Sequence, residues 1–217
     1  MHIEFLIEDR SGEKTLEHLL PKLLSAHQTY AIHSYKGIGR IPKGMHDTKN
    51  AASRILLDTL PKALKGYGKT FAAYPSEYLA AVVLVCDLDD KCPIDFKQQL
   101  NQILALCHPR PETRFCFAIE EGEAWFLGDL NALKKAYPKA DDAVLQDYVQ
   151  DSICGTWETL ADAIYPGGSN ALASKGWMET GRMKSVWAES ITPHMNPRNN
   201  RSQSFNYFRR RLAELTG

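Results

Sequence analysis

Residues 80–90, Ala-Ala-Val-Val-Leu-Val-Cys-Asp-Leu-Asp-Asp, constrain the fold of this chain more than any other stretch. An unbroken apolar run of this length, rich in β-branched residues, suits a strand buried on both faces, as in a parallel sheet. The run ends abruptly in carboxylates. In open α/β sheets, ligands bind just beyond the carboxyl ends of the strands. Hard divalent cations take oxygen ligands, usually one or two carboxylates together with substrate phosphate. Asp87 and Asp89 are two residues apart, so in extended chain both side chains can lean to one side of the strand tip. Such a terminus is either a polar loop or the start of a metal site.

The flanking sequence repeats the pattern. Residues 3–7 (Ile-Glu-Phe-Leu-Ile) read as a strand ending at Glu8, followed by a turn and then a helix with Leu16, Leu19, Leu20, Leu23 and Leu24 on one stripe. Pro21 is expected to kink or divide that helix. Residues 30–35 read as a second strand. The Gly- and Lys-rich segment 36–44 is either a flexible loop or a phosphate cradle using Arg40 and Lys43. It is not a dinucleotide fingerprint, because Pro42 stands where a helix would begin. Thr48 is expected to cap a helix carrying Ala52, Ile55, Leu56 and Leu60 and closing near Pro61. Pro93 opens another helix, with Phe96, Leu100, Ile103, Leu104 and Cys107 facing the core. Residues 114–119 form a further strand, again running into acids at Glu120, Glu121 and Glu123, and residues 124–127 form a short helix.

Alternating strands and helices predict an α/β fold: a mostly parallel sheet of about four strands with helices on both faces. Beyond residue 130 the strand-like runs stop. Residues 1–130 are therefore expected to form the α/β domain, and residues 131–217 an α-helical extension packed on it. The last helix, about 203–215, carries Phe205, Phe208, Leu212 and Leu215 on one stripe. Arg209, Arg210 and Arg211 crowd one turn of it, and a contribution to substrate binding is expected of them. Trp125 reads as a core residue, and Ser202 and Ser204 as caps of the last helix.

Composition removes several classes. The formal net charge is zero, so no global field points to nucleic acid, yet the charge is unevenly placed. Residues 36–69 hold eight bases and two acids, residues 87–163 fifteen acids and seven bases, and residues 170–217 eight bases and three acids. An acidic middle between basic flanks suits a metal–carboxylate centre with basic arms reaching for phosphate. No segment approaches the ~18 apolar residues of a membrane span. The first residues are strand-like, not signal-peptide-like, and a cytoplasmic protein is expected. The five cysteines, Cys86, Cys92, Cys107, Cys116 and Cys154, read as free buried thiols without a structural disulfide. No Cys-x-x-Cys pair supports a zinc ribbon.

Three strands thus end in carboxylates, and in a parallel sheet those ends share one edge. Here the residues carry a resemblance. A strand ending in Glu8, with Glu13 opening the helix five residues on, resembles the N-terminal motif of the Toprim superfamily, and Asp87-Leu88-Asp89 resembles its Asp-x-Asp motif. Asp9 departs from the glycine that usually follows the first Glu. Residues 119–125 (Ile-Glu-Glu-Gly-Glu-Ala-Trp) with Asp129, and residues 200–205 (Asn-Arg-Ser-Gln-Ser-Phe), resemble a Toprim-like domain-of-unknown-function family, number 4276. The resemblance covers most of the chain and is specific in these four patches.

The resemblance implies a Toprim-like fold related to the nuclease domains of overcoming-lysogenization-defect proteins, with nucleic acid as substrate and, for some relatives, a neighbouring ATPase and a part in phage defence. On that basis Glu8, Asp87 and Asp89 would hold one Mg²⁺ or Mn²⁺. Glu13, Glu120 and Glu123 would hold a second ion or supply a general base. Arg40, Lys43, Lys175, Lys184 or Arg201 would neutralise substrate phosphate. The expected activity is that of a metal-dependent nuclease or related phosphodiester-processing enzyme. The competing expectations are a non-catalytic Toprim-like module that binds a partner ATPase or a nucleotide, and a phosphotransferase or primase-like enzyme on the same fold.

Overall fold

The computed structural model describes residues 1–41 and 55–217. Four parallel strands form one sheet: β1 (His2–Ile7), β2 (Thr29–Ser34), β3 (Ala80–Asp87) and β4 (Thr113–Ala118), in the order β2-β1-β3-β4. The fold class is therefore α/β with an all-parallel sheet. β1 and β3 are the inner strands, which is why both are apolar on each face. Alternation along them divides two cores. Ile3, Phe5, Ile7, Val83 and Val85 face one side of the sheet; Leu6, Val82, Leu84 and Cys86 face the other.

The second side is covered by α2 (Leu56–Ala72) and α3 (Pro93–Ala105), through Leu56, Leu57, Leu60, Leu64, Phe96 and Leu100. The first side takes α1 (Arg10–Leu23), through Leu16, Leu19 and Leu20, and the helices that follow β4. These are α4 (Glu123–Leu127), α5 (Leu130–Ala136), α6 (Asp142–Asp147), α7 (Thr156–Ile164), α8 (Gly168–Ala173), α9 (Trp177–Ile191) and α10 (Gln203–Thr216). Leu133, Leu145, Leu160, Trp187, Phe205 and Phe208 from these helices join the same buried cluster as Phe5 and Val83. Among the described residues no helix is long and apolar enough to cross a membrane.

Neither internal proline divides its helix. α1 is undivided at Pro21 and ends at Leu23. The carbonyl that Pro21 cannot engage belongs to Glu17, an exposed residue that water can satisfy. Pro61 does not close α2 but lies buried within it, and the apolar stripe continues to Leu64. Burial along that stripe outweighs one missing backbone bond. The expected cap at Thr48 and the expected core residue Ala52 lie outside the described residues, as does Lys43. Pro93 does open α3. The cysteines are all free, but only Cys86, Cys107 and Cys116 are buried; Cys92 and Cys154 lie in exposed turns.

Candidate active site at the sheet's switch point

Chain direction across the sheet reverses between β1 and β3. From β1 the chain crosses by α1 to β2 on one face, then returns by α2 on the other face to β3. The two crossovers diverge above the β1/β3 edge and leave a crevice there, the usual ligand position of an open α/β sheet. Glu8 and Asp87 are the residues at that edge. Glu8 continues the ladder by donating its N–H to the Val85 carbonyl at 3.3 Å, and its Oε2 accepts the Asp87 N–H at 3.0 Å.

Asp9 then starts α1. Its extended backbone (φ −147°) and its carboxylate, which accepts the Gly12 N–H at 2.8 Å, make it the N-cap. The turn therefore needs no glycine after Glu8. Glycine is needed three residues later: a Cβ on Gly12 would sit 2.5 Å from Ile7 Cγ2, so α1 approaches β1 this closely only because position 12 is bare.

The opposite wall comes from α4 and α9. Glu123, at the start of α4, is 1 % exposed. Lys184, from the middle of α9, reaches in so that its Nζ lies 3.1 Å from a carboxylate oxygen of both Glu121 and Glu123. Glu123 and Lys184, together with Asp9, Glu8, Asp87 and the Trp125 ring, line a cavity of about 30 Å³. That is room for about two water-sized species.

The electrostatics follow from this crowding. Burial, reinforced by Asp9 and Asp89, pushes Glu8 up to about 7, although the Asp87 N–H and Lys184 pull the other way. Burial and the Glu8 charge push Asp87 well above the usual carboxylate range. Burial also raises Glu123 to about 7, against the pull of Lys184. Lys184 is itself desolvated, which alone would lower its pKa, but Glu123, Asp87, Glu121 and Asp9 together hold it firmly protonated. The cavity is thus a set of half-buried acids around the buried Glu123, with one fixed cation, able to bind protons near neutral pH.

All the donors here are carboxylate oxygens, the set that hard cations such as Mg²⁺ and Mn²⁺ take. Glu8 and Asp87 fit one such ion, since magnesium commonly uses one or two carboxylates and completes its shell with water and substrate. Glu123 Oε2 is buried and accepts no aligned hydrogen bond, despite the nearby ammonium. Among the described residues no three His, Cys, Asp or Glu side chains already form a metal cage.

A family model described as "Domain of unknown function (DUF4276)" matches residues 7–213. The chain belongs to this family. It has no significant match among curated proteins and none among solved structures.

The matched region of this DUF4276 member includes every site residue read from the sequence, but the fold treats them unequally. Glu8, Asp87, Glu123 and Lys184 converge on the cavity. Asp89 does not line it: this residue is exposed, takes a left-handed conformation (φ 52°) and pairs with Lys91. Glu13 turns toward β2, where it accepts the Ser34 hydroxyl at 2.7 Å. Glu120 serves the start of α7. Its carboxylate accepts the N–H groups of Cys154, Gly155 and Thr156 at 3.0–3.1 Å and the Thr156 hydroxyl, and these bonds outweigh partial burial to lower its pKa.

Among the bases, Lys175 is exposed and donates to the Tyr165 hydroxyl at 2.7 Å. Arg40 is exposed in the loop before the undescribed segment. Arg201 is also exposed and uses its N–H on the Gly128 carbonyl. Arg209 and Arg211 are half-buried against Asn206 and Glu214, and only Arg210 is exposed.

The two later motif patches interlock instead of reaching the cavity. Asn200 Nδ2 donates to the Trp125 carbonyl at 2.8 Å, Trp125 Nε1 donates to Ser204 Oγ at 3.0 Å, and Ser202 Oγ caps α10 by accepting the Phe205 N–H. Trp125 is 2 % exposed, so it is packing that also forms the cavity wall. Two site residues had no assigned role in the sequence reading. Asp9 has a visible signal, an acid immediately before an apolar-striped helix. Glu121 has none: only the placement of α9 decides which of three neighbouring glutamates meets Lys184.

Proposed function

We propose that this protein is a divalent-metal-dependent phosphodiester-processing enzyme of nuclease type, cytoplasmic and Toprim-like in fold. The observation that carries this reading is the meeting of Glu8 and Asp87 at the switch point, both with raised pKa, around one cavity that also contains Lys184. Glu8 and Asp87 would hold Mg²⁺ or Mn²⁺. When bound, such an ion polarises a phosphoryl oxygen and lowers the pKa of coordinated water. Glu123, with a pKa near 7 and an oxygen without an aligned donor, is suited to accept a proton from an attacking water. Lys184 orients Glu123 and offers its charge to a phosphate oxygen. Asp89 and Glu120, as placed, would contribute through the field and the fold, respectively.

A second reading is favoured by one observation. Lys184 already supplies a cation to Glu121 and Glu123, and Asp89 is paired with Lys91. A protein with this balance would act without hydrolysis, as a module binding a nucleotide or a partner ATPase. Thermal melting of wild type and Asp87→Asn, in EDTA and in several millimolar Mg²⁺ or Mn²⁺, separates the two. The enzyme reading expects metal to raise the melting temperature of the wild type only, and metal-dependent cleavage of plasmid, single-stranded DNA or RNA that is lost in the variant. Equal metal responses in the two proteins would leave the binding module.

A further inference from the structure

α9 extends beyond the sheet that it covers. Its contacts with α1 run in step and in the same direction. Ser11 Oγ donates to the Lys184 carbonyl at 3.2 Å, Lys14 and His18 meet Glu189, and Lys22 Nζ donates to the Thr192 carbonyl at 2.9 Å. α1 begins at Arg10, level with Lys184. The seven residues from Trp177 to Met183 therefore project past the start of α1, about 10 Å at 1.5 Å per residue.

Trp177 precedes Lys184 by seven residues, nearly two helical turns, so both lie on one stripe of α9. Lys184 on that stripe enters the carboxylate cavity. Trp177, two turns out on the same stripe, is 83 % exposed. Beside it, Met178 is 71 % exposed at one end of a groove of about 550 Å³ between α1 and α9, which also presents Arg10, Lys14 and Arg182. Asp9 and Ser11 line both this groove and the carboxylate cavity, so the two are neighbours.

An indole this exposed is left with an unused stacking face. Among the described residues Arg10 has no carboxylate within ion-pair distance, whereas Lys14 has Glu17 and Glu189 and Arg182 has Glu179. A flat apolar ring next in sequence to a groove of nucleotide size, in which Arg10 is unneutralised, complements a chain that alternates bases with phosphates. Duplex DNA hides its base faces, so the complement is a single strand.

We propose that Trp177 and the α1–α9 groove bind single-stranded nucleic acid, Trp177 stacking on a base while Arg10 meets a phosphate. This deepens the reading of the carboxylate cavity as a phosphodiester site, and leads the strand along α9 toward it. The test is the affinity of a labelled twelve-nucleotide single strand and of its duplex, by fluorescence anisotropy in EDTA, for wild type, Trp177→Ala, Trp177→Phe and Arg10→Gln. The wild type is expected to prefer the single strand. Trp177→Ala should weaken that binding about tenfold, within the range of one base stacked on an aromatic ring. Trp177→Phe should recover most of the loss, and Arg10→Gln should flatten the salt dependence by about one phosphate contact.

Unchanged single-strand affinity in Trp177→Ala overturns the proposal, as does a wild type that binds no single strand or prefers duplex. The same proteins melted with and without Mg²⁺ keep the two readings apart. Trp177-dependent binding without any metal response would uphold the groove and remove the catalytic role of the cavity. A metal response with Trp177-independent binding would do the reverse.

Discussion

Raising the pH from 5.5 to 8 in the absence of metal should destabilise this protein. Glu8 and Glu123 have folded-state pKa values of about 7 against an ordinary 4.5. Between those values the native state holds protons that the unfolded chain has released. Stability therefore falls as pH rises through that window and levels off above the folded value. One pKa unit corresponds to ~1.4 kcal/mol, and about 1.5 units of the window lie above pH 5.5, so one such group accounts for about 2 kcal/mol of the change. Glu8, Asp87 and Glu123 share their protons, so the cluster does not multiply this figure by three. For a chain of this size the change corresponds to a fall of roughly 4–8 °C in melting temperature.

The assay is a series of circular-dichroism melts in EDTA between pH 5.5 and 8.5, on wild type and Glu8→Gln. The glutamine retains an oxygen for the Asp87 N–H, so the variant should fold. Removing the Glu8 charge also lowers the pressure on Asp87. Its profile should be flatter, and it should be the more stable protein at pH 8. Groups elsewhere in the molecule cancel in the difference between the two curves. Superimposable profiles, or a wild-type melting temperature that rises toward pH 8, would refute the argument that these carboxylates crowd one desolvated site.

Other consequences concern the surrounding frame. Glu120→Ala should lower stability by about 3 kcal/mol, because three backbone N–H groups and the Thr156 hydroxyl lose a charged acceptor, while Asp89→Ala should stay within ~0.5 kcal/mol; equal urea midpoints for the two variants would contradict the placement of Glu120. A thiol reagent should label Cys92 and Cys154 rapidly and Cys86, Cys107 and Cys116 only after unfolding, with reductant leaving the melting temperature unchanged; mass spectrometry of the labelled protein gives the count.

The four strands, their parallel arrangement and the acidic sheet edge are legible in the sequence because each is a local pattern. A doubly buried strand must be apolar at every position, as residues 81–86 are. A crossover helix must carry a stripe, as Leu16, Leu19 and Leu20 do. The strand ends then mark Glu8 and Asp87 without further information, since the rule that places ligands there is topological. The charge of Lys184 is equally visible, but nothing near it in sequence says which carboxylates it will meet.

What the tertiary structure alone decides is the direction each carboxylate takes. Glu120, Glu121 and Glu123 look interchangeable in the chain. Yet one caps α7, one binds Lys184 and the Trp157 N–H, and one is buried in the cavity, because α7 and α9 approach from segments 30 to 60 residues away. Asp89 similarly loses its place to a left-handed turn that its spacing from Asp87 does not foretell. A strand or helix is specified by contacts within a few residues. A site is specified by contacts between elements whose separation in sequence carries no information about their separation in space, so its chemistry emerges only when α1, α4 and α9 are packed against the same sheet edge.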